Sequence, residues 1–208
     1  MKYLILISML FSINVFAKND SQAHIKLNGK STHALFTKSI QADTSDDVCD
    51  RINDDNIRLR CYRTVRHNWY DQASIAFCDQ LQGASTTVQC MRMLGNQYLE
   101  WGAHKVCARI KDDREAISCV REAMNARFYQ NSLNFCDALD SASQTTRCMG
   151  IAADEWFQDD ATRACKRIKD DRLATDCFKV IAGQSYGQRH VRNCDSLSTA
   201  QATIRCFR

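Results

Sequence analysis

The chain contains no proline and only 7 glycines among its 208 residues. Glycine and proline are the two residues least favourable inside a helix, and hydrophobic residues make up 45% of the chain. This composition predicts helices throughout.

The sequence has only one long apolar run, near its start. The run extends from Leu4 to Phe16, about 13 residues against the roughly 20 needed to span a bilayer, and Val15-Phe16-Ala17 is typical of a cleavage site. We therefore predict that residues 1–17 are a signal peptide and that no transmembrane segment remains after cleavage. The expected location is secreted or periplasmic, an oxidising environment in which twelve cysteines can form disulfides.

The charges lack a concentrated patch of one sign. The chain has 28 Lys and Arg against 24 Asp and Glu, and the two signs are interspersed. Recognition of phosphates leaves a clustered basic footprint, so we expect no nucleic-acid partner.

The twelve cysteines follow a strict order, with steps that alternate between 12 and 17 residues and contain no insertion or deletion. This is a 29-residue repeat in six copies. Self-similarity at such a period indicates a stacked array of similar units rather than one globular core.

Disulfides across the 12-residue steps use every cysteine, whereas pairing across the 17-residue steps leaves Cys49 and Cys206 alone at opposite ends. A disulfide needs its Cα atoms within about 7 Å, so the chain must turn between the two cysteines. Serine or aspartate near the midpoint of these steps can cap a following helix. The predicted pairs are Cys49–Cys61, Cys78–Cys90, Cys107–Cys119, Cys136–Cys148, Cys165–Cys177 and Cys194–Cys206.

Charged residues beside the cysteines also favour this pairing. In an antiparallel hairpin, the residue after the first cysteine lies near the residue before the second. We therefore expect contacts within each hairpin for the pairs Asp50–Arg60, Asp137–Arg147, Asp195–Arg205 and, with the signs exchanged, Lys166–Asp176.

Each repeat reads as a short helix with the first cysteine, a tight turn, and a longer helix with the second. The predicted fold is all-α, an α/α solenoid of six 29-residue disulfide-crosslinked hairpins with twelve helices, over residues 46–208; residues 18–45 are predicted to be a flexible polar leader. Aromatic residues eight or nine positions after the second cysteine extend an apolar stripe that we expect to face the next hairpin. They are Trp69, Tyr70, Tyr98, Phe128, Trp156, Phe157 and Tyr186.

Odd and even repeats differ in the turn between their helices. The odd turns contain paired aspartates, as in Asp112-Asp113 and Asp170-Asp171, and the even turns are rich in serine and threonine. The true duplication is therefore expected to be 58 residues.

Motifs for chemistry are scarce. No two cysteines are closer than twelve residues, which disfavours metal binding; the even count leaves no free thiol; and no Gly-x-Ser-x-Gly elbow is present. His24, His33, His67, His104 and His190 occupy no repeated position. The paired aspartates suit helix capping better than an acid–base dyad. We predict no catalytic residue, no cofactor and no metal site.

One polar position does recur, two residues after the second cysteine. A solenoid would turn it into a row of positive charge able to meet an acidic partner or a peptide carboxylate, although ordinary solvated surface is the simpler interpretation. We call these residues the arginine row: Arg63, Arg92, Arg121, Lys179 and Arg208, with Gly150 interrupting the series.

Two segments, Leu94-Gly95-Asn96-Gln97-Tyr98 and Ala182-Gly183-Gln184-Ser185-Tyr186, resemble the Leu-Gly-x-x-Tyr core of tetratricopeptide and Sel1-like repeats. In organisation the chain is similar to cysteine-rich secreted Sel1-like proteins of bacteria. That resemblance implies an α/α superhelix that binds partners on its concave face, and some members bind penicillin or hydrolyse β-lactams.

The sequence therefore predicts a non-enzymatic interaction scaffold for a protein or peptide partner. Two alternatives stay open. One is a cell-wall-related or β-lactam-binding or hydrolysing enzyme, suggested by the resemblance alone, and the other is a secreted effector or inhibitor.

Overall fold

The computed structural model describes residues 44–208. The predicted signal peptide and nearly all of the predicted leader lie outside these residues. No helix in the described range is long and apolar enough to cross a membrane.

The predicted fold class is confirmed. Residues 44–208 form twelve α-helices and no strand. The helices are α1 (Ser45–Asp50), α2 (Asp55–Val65), α3 (Gln72–Asp79), α4 (Ala84–Leu94), α5 (Trp101–Ala108), α6 (Asp113–Ala123), α7 (Gln130–Cys136), α8 (Ala142–Ala152), α9 (Asp159–Lys166), α10 (Asp171–Ile181), α11 (Gln188–Asp195) and α12 (Ala200–Phe207).

Consecutive helices pair into six hairpins, numbered 1 to 6 from α1–α2 to α11–α12, and one disulfide crosslinks each of them. The Cα atoms of every bonded pair are 5.5 or 5.6 Å apart, and the pairs are Cys49–Cys61, Cys78–Cys90, Cys107–Cys119, Cys136–Cys148, Cys165–Cys177 and Cys194–Cys206. Eleven of these cysteines are 0% exposed, so the disulfides form the centre of the core. A 29-residue hairpin has little core of its own, and each bridge contributes about 3 kcal/mol through the closed loop.

The hairpins stack so that like helices are neighbours. The first helices (α1, α3, α5, α7, α9 and α11) contact one another in order, and the second helices (α2, α4, α6, α8, α10 and α12) form a parallel row. Large side chains fill the space between hairpins. The Phe178 ring, for example, stacks on Phe135 at 4.2 Å and on Phe157 at 3.9 Å between centroids.

The junctions that follow odd hairpins contain an ion pair. In each, the arginine two residues after the first cysteine reaches the aspartate directly after the first cysteine of the next hairpin. The pairs are Arg51–Asp79 and Arg109–Asp137 at 2.5 Å, and Arg167–Asp195 at 2.7 Å. The arginine position is Gln80 in hairpin 2 and Ala138 in hairpin 4, so even hairpins cannot make this pair.

The junctions that follow hairpins 2 and 4 use a different contact. Asp113 of hairpin 3 accepts hydrogen bonds from the backbone N–H of Gly83 at 2.8 Å and of Gln82 at 3.2 Å, and from Thr86 Oγ1 at 2.6 Å. Burial by itself would raise the pKa of the Asp113 carboxyl, but the hydrogen bonds from Thr86, Gly83 and Gln82 outweigh it and hold the pKa below its ordinary value.

Asp171 of hairpin 5 repeats this contact. It accepts from the N–H groups of Asp140 at 2.9 Å and Ser141 at 2.7 Å in the turn of hairpin 4. Helices α4 and α8 have no side-chain cap of their own, so the expected serine caps are wrong for these two helices. The amides of these two turns donate to an aspartate of the next hairpin instead. Junctions with the arginine–aspartate pair described above therefore alternate with junctions in which an aspartate accepts from turn amides, which gives the expected 58-residue period.

The charge pairs expected within the hairpins are wrong. Asp137 and Asp195 pair with arginines of the preceding hairpins, and Arg147 contacts Asp176 of the next one at 2.7 Å. Asp50 accepts from the Tyr62 hydroxyl rather than from Arg60. The aspartate–arginine pairs therefore join neighbouring hairpins, whereas a disulfide crosslinks the two helices inside each one.

Candidate functional site

Four of the five loops that connect successive hairpins contain one residue in the left-handed region, at the same repeat position each time. The φ angle is 60° or 64° at Asn96, Asn125, Asp154 and Gly183. Side chains with a Cβ disfavour this region, and glycine, asparagine and aspartate tolerate it best. The identity of these four residues therefore follows from the backbone geometry of the loop.

Each of these residues binds the loop of the preceding hairpin. Its N–H donates to a backbone carbonyl at 2.8 to 3.0 Å, and in three of the four the side-chain Oδ1 accepts the N–H of that same preceding residue at 3.0 Å. The residues held in this way are Trp69, Tyr98, Arg127 and, by the backbone bond alone, Trp156.

The residue held by this contact is exposed. Trp69 is 55% exposed, Tyr98 50% and Trp156 42%, and the exposed Arg127 occupies the same position in its loop. The residue that follows points inward, as Leu99 does at 1% exposure. The next hairpin thus fixes the backbone of each loop while one large side chain projects outward.

Two further aromatic residues lie beside this position, where first helices begin. Trp101 is the first residue of α5 and is 43% exposed, and Tyr129 directly precedes α7 and is 54% exposed. All three tryptophans of the chain are therefore exposed, and all lie at or beside the loops between hairpins. We call Trp69, Tyr98, Trp101, Tyr129 and Trp156 the aromatic edge.

Part of the aromatic edge borders a groove between α7 and α9. The groove has a volume of about 640 Å³, and the exposed rings of Tyr129 and Trp156 line it together with the buried rings of Phe135 and Phe157. Asn131 shapes one wall by donating to the Phe157 carbonyl at 2.7 Å. A depression with apolar rings and a few oriented polar groups is typical of a binding site.

The polar side chains of the groove are already partly engaged. Asp159 accepts from Asn131 at 2.8 Å, and Arg163 is paired with Asp160 one turn before it. Lys166 Nζ lies 3.4 Å from the carbonyl oxygen of Asn134. The aromatic rings, rather than a free charge, are the groups that this groove offers to a ligand.

The predicted apolar stripe is half correct. Residues nine positions after the second cysteine pack inward, and Phe157 is 5% exposed. Residues eight positions after it, such as Trp69 and Trp156, face solvent instead. Sequence reasoning missed the aromatic edge because helical periodicity was extended past Val65 and Ala152, where α2 and α8 end. The asparagine, aspartate or glycine two positions after the end of α4, α6, α8 and α10 could have marked four of these loops.

The arginine row lies on the exposed surface of the second helices. Arg63, Arg92, Arg121, Lys179 and Arg208 are all exposed. These residues occupy equivalent positions of the repeat, and no described side chain forms an ion pair with any of them. Binding of an acidic partner there stays a prediction.

Three of the five histidines lie in the described range; His24 and His33 lie outside it. His67 and His190 are exposed, whereas His104 is 9% exposed and its Nδ1 has no hydrogen-bond partner among the described residues. Burial first, and then the charge of Lys105, lower the pKa of His104. The His104 ring packs 4.7 Å from the ring of Trp101, so it supports the aromatic edge from below.

The paired aspartates have structural roles. Asp112 and Asp170 cap α6 and α10, as predicted, while Asp113 and Asp171 bind the preceding hairpin.

One cluster of metal-ligand type occurs among the described residues, at His190, Cys194 and Cys206. The two sulfur atoms are bonded to each other, so the cluster offers a metal no thiolate pair.

The two segments that resemble Sel1-like repeats do not occupy equivalent places. By the 29-residue period, Leu94 is equivalent to Ile181 rather than to Ala182, and Tyr98 is exposed whereas Tyr186 is partly buried and donates to the Phe207 carbonyl at 2.9 Å. Comparison with known proteins adds no family: no family model, curated protein or solved structure matches the chain.

Proposed function

We propose that this protein is an exported, non-enzymatic scaffold that binds a protein or peptide along its aromatic edge. The observation that carries the proposal is that all three tryptophans are 42 to 55% exposed and lie at or beside the inter-hairpin loops. Tryptophan is normally among the more buried residues, and clustered exposed aromatic rings are typical of interaction surfaces.

The residue types suit such a surface energetically. Tryptophan, tyrosine and arginine dominate the few positions that contribute most to protein interfaces, each typically by 2 kcal/mol or more. Trp69, Tyr98, Arg127 and Trp156 are of these three types, at one repeat position. A partner that lies along the array meets one such side chain in each of the four loops that follow hairpins 1 to 4.

The loops are ordered before any partner binds. The backbone of Tyr98, for example, donates to Asn125 Oδ1 at 3.0 Å and accepts from the Asn125 N–H at 2.8 Å. Ordering a loop at the moment of binding costs free energy, so a loop held in place by the next hairpin retains more of the contact energy as affinity. Six disulfides suit an exported scaffold because they persist in an oxidising environment.

The test selects peptides from a random displayed library against the disulfide-bonded chain and measures their binding by intrinsic tryptophan fluorescence. Because Trp69, Trp101 and Trp156 all belong to the aromatic edge, a peptide bound there shifts the emission to shorter wavelength. The combined substitution Trp69→Ser, Tyr98→Ser and Trp156→Ser is expected to weaken the selected peptides at least about a hundredfold, since each lost ring costs about 2 kcal/mol.

The matched control replaces three exposed residues of the other surface, Arg63, Arg92 and Arg121, by serine. Both triple variants must retain the wild-type far-ultraviolet circular dichroism. Equal affinity of wild type and aromatic variant, or a loss confined to the arginine variant, would contradict the proposal. Hydrolysis of a chromogenic β-lactam by the purified chain would instead support the enzyme alternative, which stays a prediction, as does the effector alternative.

A further inference from the structure

The disulfide of hairpin 6 differs from the other five in its surroundings. Eleven cysteines are 0% exposed, whereas Cys206 is partly exposed. Attack on a disulfide requires a thiolate to approach one sulfur along the S–S axis, so burial protects a bridge from exchange. Among the described bridges, Cys194–Cys206 is the one with a partly exposed cysteine.

The same bridge has an imidazole beside it. His190 precedes Cys194 by one helical turn, and its Nε2 lies 3.5 Å from Cys194 Sγ. The equivalent residues of hairpins 2 to 5 are Ser74, Ala103, Ser132 and Ala161, which carry no basic group.

Neighbouring rings hold this imidazole in place. Tyr186 stacks on His190 at 5.4 Å with an interplanar angle of 10°, and Phe207 meets it edge-on at 6.1 Å. A positively charged imidazole next to a cysteine stabilises the thiolate, and a more stable thiolate leaves a disulfide faster. The partly exposed Cys206 is thus bonded to the cysteine that has an imidazole beside its sulfur.

We propose that Cys194–Cys206 is a thiol-exchange site that reacts with small-molecule or protein thiols. A substrate thiolate R–S⁻ attacks Cys206 Sγ, the S–S bond breaks, and its electron pair moves to Cys194 Sγ, which receives a hydrogen bond from His190. The product is the mixed disulfide R–S–S–Cys206. A second R–S⁻ then attacks the sulfur of R, which releases R–S–S–R and leaves the two cysteines reduced, so two thiols are oxidised for each protein disulfide.

The inference does not rest on the proposed scaffold function, because the groups involved lie outside the aromatic edge. The test uses reduced glutathione as the thiol, on the whole folded chain. The reaction is stopped with iodoacetamide at short times, and the cysteines are mapped by peptide mass spectrometry. The expected first products are a glutathione adduct on Cys206 and a carbamidomethyl group on Cys194, while Cys165–Cys177 is still intact.

The variant His190→Ser, which takes the residue found at Ser132 of hairpin 4, is expected to slow this first step about tenfold, because the leaving thiolate loses its stabilising partner. The bridge Cys165–Cys177 serves as the internal reference in both proteins. A first adduct on any other cysteine, or a rate that His190→Ser leaves unchanged, would overturn the proposal. Mapping of the wild-type chain alone is decisive if the variant does not fold.

Discussion

Asparagine at a left-handed loop position has two separable roles, and Asn125 allows each to be measured. Its backbone N–H donates to the Tyr98 carbonyl at 2.8 Å, its Oδ1 accepts the Tyr98 N–H at 3.0 Å, and its Nδ2 donates to Gln97. Its φ angle is 60°. The side-chain hydrogen bonds stabilise the junction between hairpins 2 and 3, and the choice of residue avoids backbone strain.

Two substitutions separate these roles. Asn125→Gly removes the side-chain hydrogen bonds but tolerates the left-handed backbone, as Gly183 does at the equivalent position, so the expected loss of unfolding free energy is about 1–2 kcal/mol. Asn125→Ala loses the same hydrogen bonds and also places a Cβ in the left-handed region, which adds about 1–2 kcal/mol. Alanine is therefore expected to be the more destabilising of the two.

The assay is guanidinium unfolding of the oxidised protein, followed by circular dichroism at 222 nm. Alanine is the better helix former, so an ordering by helix propensity would reverse the expected result. Equal transition midpoints for the alanine and glycine variants, or a higher midpoint for alanine, would refute the explanation by left-handed strain.

Two further predictions concern ionisable groups, and both are measured by thermal unfolding. Because burial lowers the pKa of His104 in the folded chain, the unfolded chain binds the proton more tightly, and stability is expected to fall as pH decreases from about 6.5 through the lower folded pKa. His104→Leu, with the residue found at Leu133 of hairpin 4, should remove this step in a comparison at pH 7 and pH 5, and an unchanged pH dependence would argue against His104 as its source. Asp113→Ala leaves the turn amides of Gln82 and Gly83 without their acceptor and is expected to cost about 2–3 kcal/mol, against about 1 kcal/mol for Asp112→Ala, which removes only a helix cap. Equal effects of the two alanine variants would contradict the role of Asp113 between hairpins.

The cysteine spacing was sufficient to predict the fold. A disulfide needs close Cα atoms, only the 12-residue step pairs every cysteine with a neighbour, and turn residues lie near its midpoint, so the hairpins and their pairing followed. The alternation of the turns also gave the 58-residue period. The pairing depends on the geometry of a disulfide, and the period depends on the residue types in the turns. Both can be read from the order of residues in the chain.

The aromatic edge could not be predicted in the same way. Trp156 and Phe157 are adjacent, and helical periodicity places both near one stripe, but α8 ends at Ala152, residues 155–158 are not helical, and Gln158 is extended. Successive residues of an extended segment point to opposite sides, so one ring is 42% exposed and the other 5%. Which of the two rings is exposed depends on where the helix ends, and helix ends are the least certain part of a sequence-based assignment.

The expected charge pairs were wrong for a related reason. Asp137 is close in sequence to Arg147, but its partner Arg109 belongs to the preceding hairpin. The sequence shows which residues are charged. Which of them form ion pairs depends on how neighbouring hairpins stack, and that stacking could not be predicted from the spacing of charges within one hairpin.

The alternating junctions restrict how an array of this kind changes in length. Loss of hairpin 3 alone would place the Gly83 amide opposite Ala142 instead of Asp113. It would also place Gln80, instead of Arg109, beside Asp137. The new junction between hairpins 2 and 4 would therefore have neither the hydrogen bonds to the turn amides nor the arginine–aspartate pair. Loss of hairpins 3 and 4 together would bring the same amide to Asp171, which already binds the equivalent turn of hairpin 4. Internal growth or loss that keeps both kinds of junction is therefore expected to involve two neighbouring hairpins, with their two disulfides, at a time.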